Sequence, residues 1–332
     1  MGFFTWFSRE ERQKRKTQRA SKRQNKVETK ARNSRPLKIG LALGGGGTRG
    51  FGHIGVLKAF KEYNIEFDYI AGTSVGALIG ALYANNVDID YMIDIAVKLR
   101  TKDILTSKIP LIPSKTEKLE AMVTENIGDI DLKDLKKPFA AVATDLVTGE
   151  EVALREGSAA RAIAGSCAIP GVFNPVIIDG MHLVDGCLKN TVPSDVVRDM
   201  GADIVIGVDL NSARGYGTGS MKYIEVMMAT LRILMKTAAV KGYVSSDYMV
   251  MPDLKKFKQT RTEGADSMIE EGYNAAITSM PEILAVLGRQ TVNHEAEKII
   301  EKIKSFESQT KVRDKDKKIL DAIENDDFGD LD

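Results

Sequence analysis

The chain has 332 residues, 43% of them hydrophobic, enough to bury one large α/β domain or two average ones. Its two cysteines, Cys167 and Cys187, form no CxxC pair; this argues against a disulfide framework or a thiolate metal cluster and favours a reducing, cytoplasmic setting. The net charge of +1 hides a split. Residues 1–38 carry 13 Lys/Arg against 3 Asp/Glu, and the remainder carries 34 against 43, so a mildly acidic body has a strongly basic arm.

Residues 1–36 place Phe3, Phe4, Trp6 and Phe7 ahead of a long polar, basic stretch with little to bury. The segment reads as a disordered or loosely helical arm ending near Pro36. No apolar h-region is present, so it does not read as a secretory signal. Leading aromatics followed by many cations fit an anionic membrane surface, where each Lys or Arg contributes about 1 kcal/mol. A nucleic acid offers the same phosphate chemistry, and a solvated tail is the bland reading. The aromatics favour lipid, and no nucleic acid is expected. Trp6 stands where the myristoylation pattern wants Ser or Thr.

From Leu37 onward, short apolar runs alternate with helical patterns. Strands are predicted at 37–43, 67–72, 138–145, 151–156, 174–179, 181–186, 203–210 and 248–254. Helices are predicted at 53–63, 75–86, 158–167, 193–200, 221–246 and 265–288. This alternation implies an α/β three-layer sandwich with a largely parallel central sheet over residues 37–290. The apolar stretch Ile70–Ala84 is 15 residues with three glycines, short of the ~20 needed to cross a bilayer. The segment from Asp90 to Pro113 mixes apolar and charged residues and fits either a lid or acyl-chain wall or an ordinary surface helix. The Met- and Leu-rich stretch Tyr223–Val240 fits core, a lining for acyl chains, or a homodimer contact. Residues 291–332 read as a charged helical extension. Its last twelve residues hold six acids and are expected to fray.

The strongest chemical signal is GTSVG, Gly72 to Gly76, with Ser74 at its centre. It follows a predicted strand and opens a predicted helix, as a nucleophile elbow requires. Strained backbone angles and the lack of room for a Cβ explain the flanking glycines. Ser74 at a helix N-terminus would sit where partial positive charge favours an oxyanion; the plainer alternative is a helix N-cap. The second signal is GGGGTRG, Gly44 to Gly50. Gly45, Gly47 and Gly50 satisfy a dinucleotide pattern, with Asp68 near the distance of its acidic partner. The same loop suits an oxyanion hole of bare N–H groups. Acyl transfer explains loop and elbow together, whereas a dinucleotide site leaves GTSVG idle.

A nucleophilic serine needs a base. His53 falls in the helix after the glycine loop, His182 in a strand, and His294 in the charged C-terminal helix; none has the context of a catalytic base. The remaining candidate is a carboxylate. LVDGC puts Asp185 at the end of a predicted strand, before a glycine turn, although in isolation the tripeptide reads as a simple turn.

Together these pieces resemble the patatin-like phospholipase family, in its bacterial branch. GGGGTRG, GTSVG and DGC stand in the family's order and spacing. ATDLVTGE, SCAIPGVFNPV and VDGCLKNTVPSDVVRDMGADIVIGVDL extend the likeness over residues 37–290. The resemblance implies a Ser74–Asp185 dyad and an oxyanion hole from Gly45, Gly46 and Gly47. Gly44, Arg49, Gly50, Gly72, Gly76 and Gly186 would support the motifs, Arg49 by steadying the loop or meeting an anionic head group. One departure is Cys187, where Gly or Ala is usual. The implied activity is hydrolysis of fatty-acyl esters of phospholipids or lysophospholipids, with no metal and no cofactor. The protein would sit in the cytoplasm, peripheral on the inner face of the membrane through its arm. The competing expectation is a membrane-recruited, catalytically weak regulatory protein on the same scaffold.

Overall fold

A computed structural model describes residues 37–99, 103, 113–211, 223–257 and 262–288. The chain divides into two units, Met1–Lys38 and Ile39–Asp332. Of the first, only residues 37 and 38 are described, so the expected arm lies outside the described residues, as does the expected extension 291–332.

β1 (Ile39–Leu43) leads through a 3-10 turn (Gly47–Gly50) into α1 (Phe51–Glu62). β2 (Tyr69–Thr73), α2 (Val75–Ala84), α3 (Ile89–Lys98) and α4 (Glu117–Ile127) follow. Next come β3 (Phe139–Asp145), β4 (Glu151–Leu154), α5 (Ala159–Ser166), β5 (Val176–Ile178) and β6 (Met181–Asp185). α6 (Ser194–Asp199), β7 (Ile204–Val208), α7 (Tyr223–Ala238), α8 (Val240–Ser245) and β8 (Tyr248–Val250) precede the closing pair, α9 (Ala265–Thr278) and α10 (Met280–Val286). Every predicted strand forms.

Two predicted helices are each split in two. Between α9 and α10, Ser279 is followed closely by Pro281, which has no N–H to continue the ladder. The division at Ala239 falls where the Thr191 hydroxyl donates to the Met235 carbonyl at 2.6 Å.

The eight strands make one sheet in the order β5-β6-β3-β2-β1-β7-β8, with β4 also paired to β3. β3, β2, β1, β7 and β8 run parallel; β4 and β6 run antiparallel to β3, and β5 pairs antiparallel to β6. The antiparallel flank follows from short connections. Asp179 and Gly180 join β5 to β6 with φ of 50° and 80°, a two-residue hairpin that cannot make a parallel crossover.

Strand residues alternate between two apolar layers, as the period of two demands. Leu41, Leu43, Ile70 and Ile206 face the larger cluster with α1, α2, α9 and α10. Ala42, Ala71, Val142 and Val205 face a smaller one that includes Val196 and Val197 of α6. Helices therefore cover both faces of a largely parallel sheet, the three-layer arrangement that the alternation implied. Among the described residues no helix is long and apolar enough to cross a membrane.

One register detail positions the site. Val142 of β3 pairs with Thr73 on one edge and Ala153 on the other, while the next residue, Ala143, pairs with Asp185 and Val152. β2 and β6 therefore occupy the same edge of β3 end to end, and their C-terminal residues meet.

Candidate active site

Ser74 fills the single position between β2 and α2, at φ 56° and ψ −128°. A non-glycine residue with that φ stores about 1–3 kcal/mol of strain. The flanking glycines serve clearance rather than dihedral freedom. A Cβ on Gly72 would lie 2.2 Å from the Gly76 carbonyl oxygen, and one on Gly76 would lie 2.1 Å from that of Leu43. The strained angle falls on the serine itself. Its side chain makes no capping bond to α2; the hydroxyl instead donates to Asp185 Oδ2 at 2.7 Å. The Ser74 N–H donates to Ser166 Oγ at 2.8 Å, and the Ser166 hydroxyl donates to the Val142 carbonyl. Ser166 opens the SCAIPGVFNPV block that extends the family likeness, but the block assigns it no role of its own.

Asp185 is 5% exposed and Ser74 4%. Its second oxygen, Oδ1, accepts the Cys187 N–H at 2.9 Å. Burial pushes the Asp185 carboxyl above the ordinary carboxylate range, opposed by hydrogen bonds from Ser74 and Cys187. A raised carboxyl is the better proton acceptor, and the 2.7 Å contact puts it within reach of the serine proton. Gly186 is required by space, because its Cβ would stand 2.2 Å from the Val142 carbonyl oxygen. Cys187 sits in a 3-10 turn (Gly186–Leu188) and is not among the residues with positive φ. A side chain is therefore tolerated where the family usually has Gly or Ala.

The glycine loop brings a correction. The Gly44 N–H donates to Val208 O and the Gly45 N–H to Thr191 O, each at 3.0 Å. Gly45 is therefore committed to the protein and cannot hold an oxyanion as expected. Gly46 and Gly47 line the cavity beside Ser74, and neither N–H has a backbone acceptor among the described residues. Arg49 Nε donates to the Phe257 carbonyl at 3.0 Å, which ties the loop to the segment after β8. Gly50 lets the turn press on α2, since a Cβ there would lie 2.0 Å from Val75 Cγ2.

His53 is fully buried, with Nε2 2.7 Å from the Gly44 carbonyl oxygen. Burial lowers its pKa to about 4, so the ring is neutral and Nε2 donates. His182 has an exposed side chain, and His294 lies outside the described residues. Asp68 accepts the Ile39 N–H at 2.9 Å, at the start of β1. That is the opposite end of the strand from the glycine loop, so the acid a dinucleotide would need is missing from the loop's side.

Residues 41–198 match the family model described as patatin-like phospholipase. The chain carries a patatin-like phospholipase domain. An uncharacterized NTE family protein of Mycobacterium tuberculosis is 36% identical over 188 residues, covering 55% of this chain and 52% of its own length. Patatin-like phospholipase domain-containing protein 6 of Homo sapiens is 34% identical over 188 residues, 52% of this chain and 13% of that protein. The chain thus spans about half the length of the mycobacterial relative and far less of the human one. Among solved structures, VipD from Legionella pneumophila is similar at TM-score 0.45, with 14% identity over 76% of this chain and 67% of that one.

In this patatin-like domain Ser74 and Asp185 open onto a cavity of about 250 Å³. Its walls are almost wholly apolar. α3 supplies Met92 and Ala96, α4 supplies Leu119 and Met122, and Phe173 and Met235 close it. The segment from Asp90 onward therefore contributes a wall through α3, and the Met-rich helix α7 contributes Met235; residues 104–112 lie outside the described residues. Among the described residues no three His, Cys, Asp or Glu side chains gather as a metal site.

Proposed function

We propose that this protein is a lipid acyl hydrolase that cleaves fatty-acyl esters of phospholipids or lysophospholipids through Ser74 and Asp185. The observation that carries the reading is the 2.7 Å hydrogen bond from Ser74 Oγ to Asp185 Oδ2, at the wall of an apolar cavity that suits an acyl chain. The match of residues 41–198 to the patatin-like phospholipase model supports the same chemistry.

Asp185 accepts the Ser74 proton as the hydroxyl oxygen attacks the ester carbonyl. The Gly46 and Gly47 N–H groups, with the N-terminus of α2, meet the charge that develops on the carbonyl oxygen. Collapse of the tetrahedral intermediate expels the alcohol, which takes the proton from Asp185 and leaves an acyl-serine. Water gives its proton to the same carboxylate, attacks the acyl-serine and releases the fatty acid; the proton returns to Ser74. The competing regulatory reading rests on Cys187 and the long basic arm; the accommodated Cys187 turn removes the first of these supports.

The deciding experiment is reaction of the full chain with an alkyl fluorophosphonate, locating the adduct by mass spectrometry. Labelling at Ser74, lost in Ser74→Ala, is expected; labelling elsewhere overturns the assignment. The basic arm is proposed to dock on an anionic membrane surface. Removal of residues 1–35 should weaken binding to phosphatidylglycerol vesicles while turnover of a soluble ester persists. Undiminished vesicle binding would refute this docking role.

A further inference from the structure

The last residue of β7 and the residues that follow it lie directly against the glycine loop. Val208 O receives the Gly44 N–H at 3.0 Å. The Leu210 side chain stands 3.0 Å from where a Gly46 Cβ would be. Asn211 Nδ2 donates to the Gly45 carbonyl oxygen at 2.7 Å. We infer that Asn211 is a positioning residue for the oxyanion hole: by holding the Gly45 carbonyl it turns the Gly46 N–H towards the substrate ester. This rests on the acyl-hydrolase reading above and deepens it.

Peptide geometry sets the direction of the Gly46 N–H. In a trans peptide the C=O and the following N–H point in opposite directions, and no peptide among the described residues is cis. Asn211 does not line the cavity, whereas Gly46 does. Fixing the Gly45 oxygen on Asn211 therefore sends the Gly46 N–H to the other side, where Ser74 and the cavity lie. That N–H has no backbone acceptor among the described residues. Donation to an amide oxygen also polarises the amide and strengthens its N–H as a donor.

Asn211 is itself held. Its N–H donates to Asp209 Oδ1 at 2.8 Å, and Asp209 Oδ2 accepts the Tyr243 hydroxyl at 2.6 Å. Asp209 is 3% exposed. A line of hydrogen bonds thus runs from Tyr243 on α8 through Asp209 and Asn211 to the Gly45 carbonyl. It ends one atom pair short of the reacting oxygen, so Asn211 acts through Gly46 and touches no reacting atom.

The test compares full-length wild type with Asn211→Ala and the isosteric Asn211→Asp, using a p-nitrophenyl ester, a long-chain trifluoromethyl ketone and a fatty acid. Loss of a whole oxyanion donor costs about 10²–10³ in kcat, so loss of its support should cost about 10- to 100-fold with KM nearly unchanged. Ketone affinity should fall by the same factor, while fatty-acid affinity and Tm hold. In Asn211→Asp the carboxylate repels the Gly45 oxygen, but its protonated form can donate. Its activity relative to wild type should therefore rise as pH falls from 8 to 5. Unchanged kcat, an unchanged ketone affinity, an equal loss of fatty-acid affinity, or a flat pH ratio in Asn211→Asp each overturns the assignment. A wild type that neither hydrolyses the ester nor is labelled at Ser74 overturns the hydrolase reading itself.

Discussion

Thr73 and Asp185 pair with consecutive residues of β3, Val142 and Ala143, so two strands arriving from opposite directions end against each other. Ser74, the residue after Thr73, therefore meets a carboxylate 111 residues away in sequence. The pair is positioned by the sheet itself rather than by a mobile loop, which favours a preformed site.

Ser74→Ala and Ser74→Gly should both hydrolyse acyl esters no faster than the uncatalysed background. They should differ in stability. Each lacks the hydroxyl, but only Ala retains the strain of φ 56°, so the Gly variant should be more stable by about 1–2 kcal/mol. Denaturant unfolding of the two proteins measures the difference directly. Equal midpoints would show that the elbow is not strained.

Asp185→Asn should lower kcat by roughly 10²- to 10⁴-fold, the range for a positioned base. Because burial raises this carboxyl, wild-type turnover should fall on acidification at a pH above the ordinary carboxylate value of about 3.9. The same shift sets a stability trend. A carboxyl raised in the folded state stabilises fully only below its unfolded pKa, and that contribution is lost as pH rises through the folded value. Asp185→Asn, always neutral, should therefore show a higher Tm than wild type at pH 7, with the gap closing towards pH 4. A lower Tm at pH 7 would contradict a buried, costly charge.

His53 has the opposite sign. Its pKa is lowered from 6.5 to about 4, so its contribution is complete above the unfolded pKa and is lost as pH falls through the folded one. The full loss is at most roughly 3 kcal/mol. His53→Gln, which can still donate to the Gly44 carbonyl, should flatten the Tm profile between pH 6.5 and 4. An unaltered slope would mean that His53 does not titrate as a buried neutral ring.

The two thiols should be inert in the native protein. Cys167 and Cys187 are buried, which pushes both well above the usual thiol range, and the Asp185 charge adds to it. Neither should react with Ellman's reagent until the protein is unfolded. Cys187→Ala should keep kcat/KM within about fivefold, because the turn takes any small side chain. Gly186→Ala, meeting the Val142 carbonyl, should lose about 1–3 kcal/mol or more. Thermal unfolding and ester turnover of the pair separate a space requirement from a tolerated position.

The strand–helix alternation, the glycine loop and GTSVG are local patterns. A run of apolar residues or a glycine cluster reports the nearby backbone, so the strands, most helices, the elbow and the loop were legible in the sequence alone, whereas α4 (Glu117–Ile127) was not among the predicted helices. The antiparallel β6 follows from the Asp179–Gly180 hairpin, a departure from the parallel pairing that strand–helix alternation implies. What remained hidden depends on partners distant in the chain. The commitment of the Gly45 N–H to Thr191, the support of Ser74 by Ser166, and the contact of Asn211 with the Gly45 carbonyl leave no periodicity or motif. Each exists only because strand register brings separate segments within 3 Å or so, the range over which a hydrogen bond decides where an amide points.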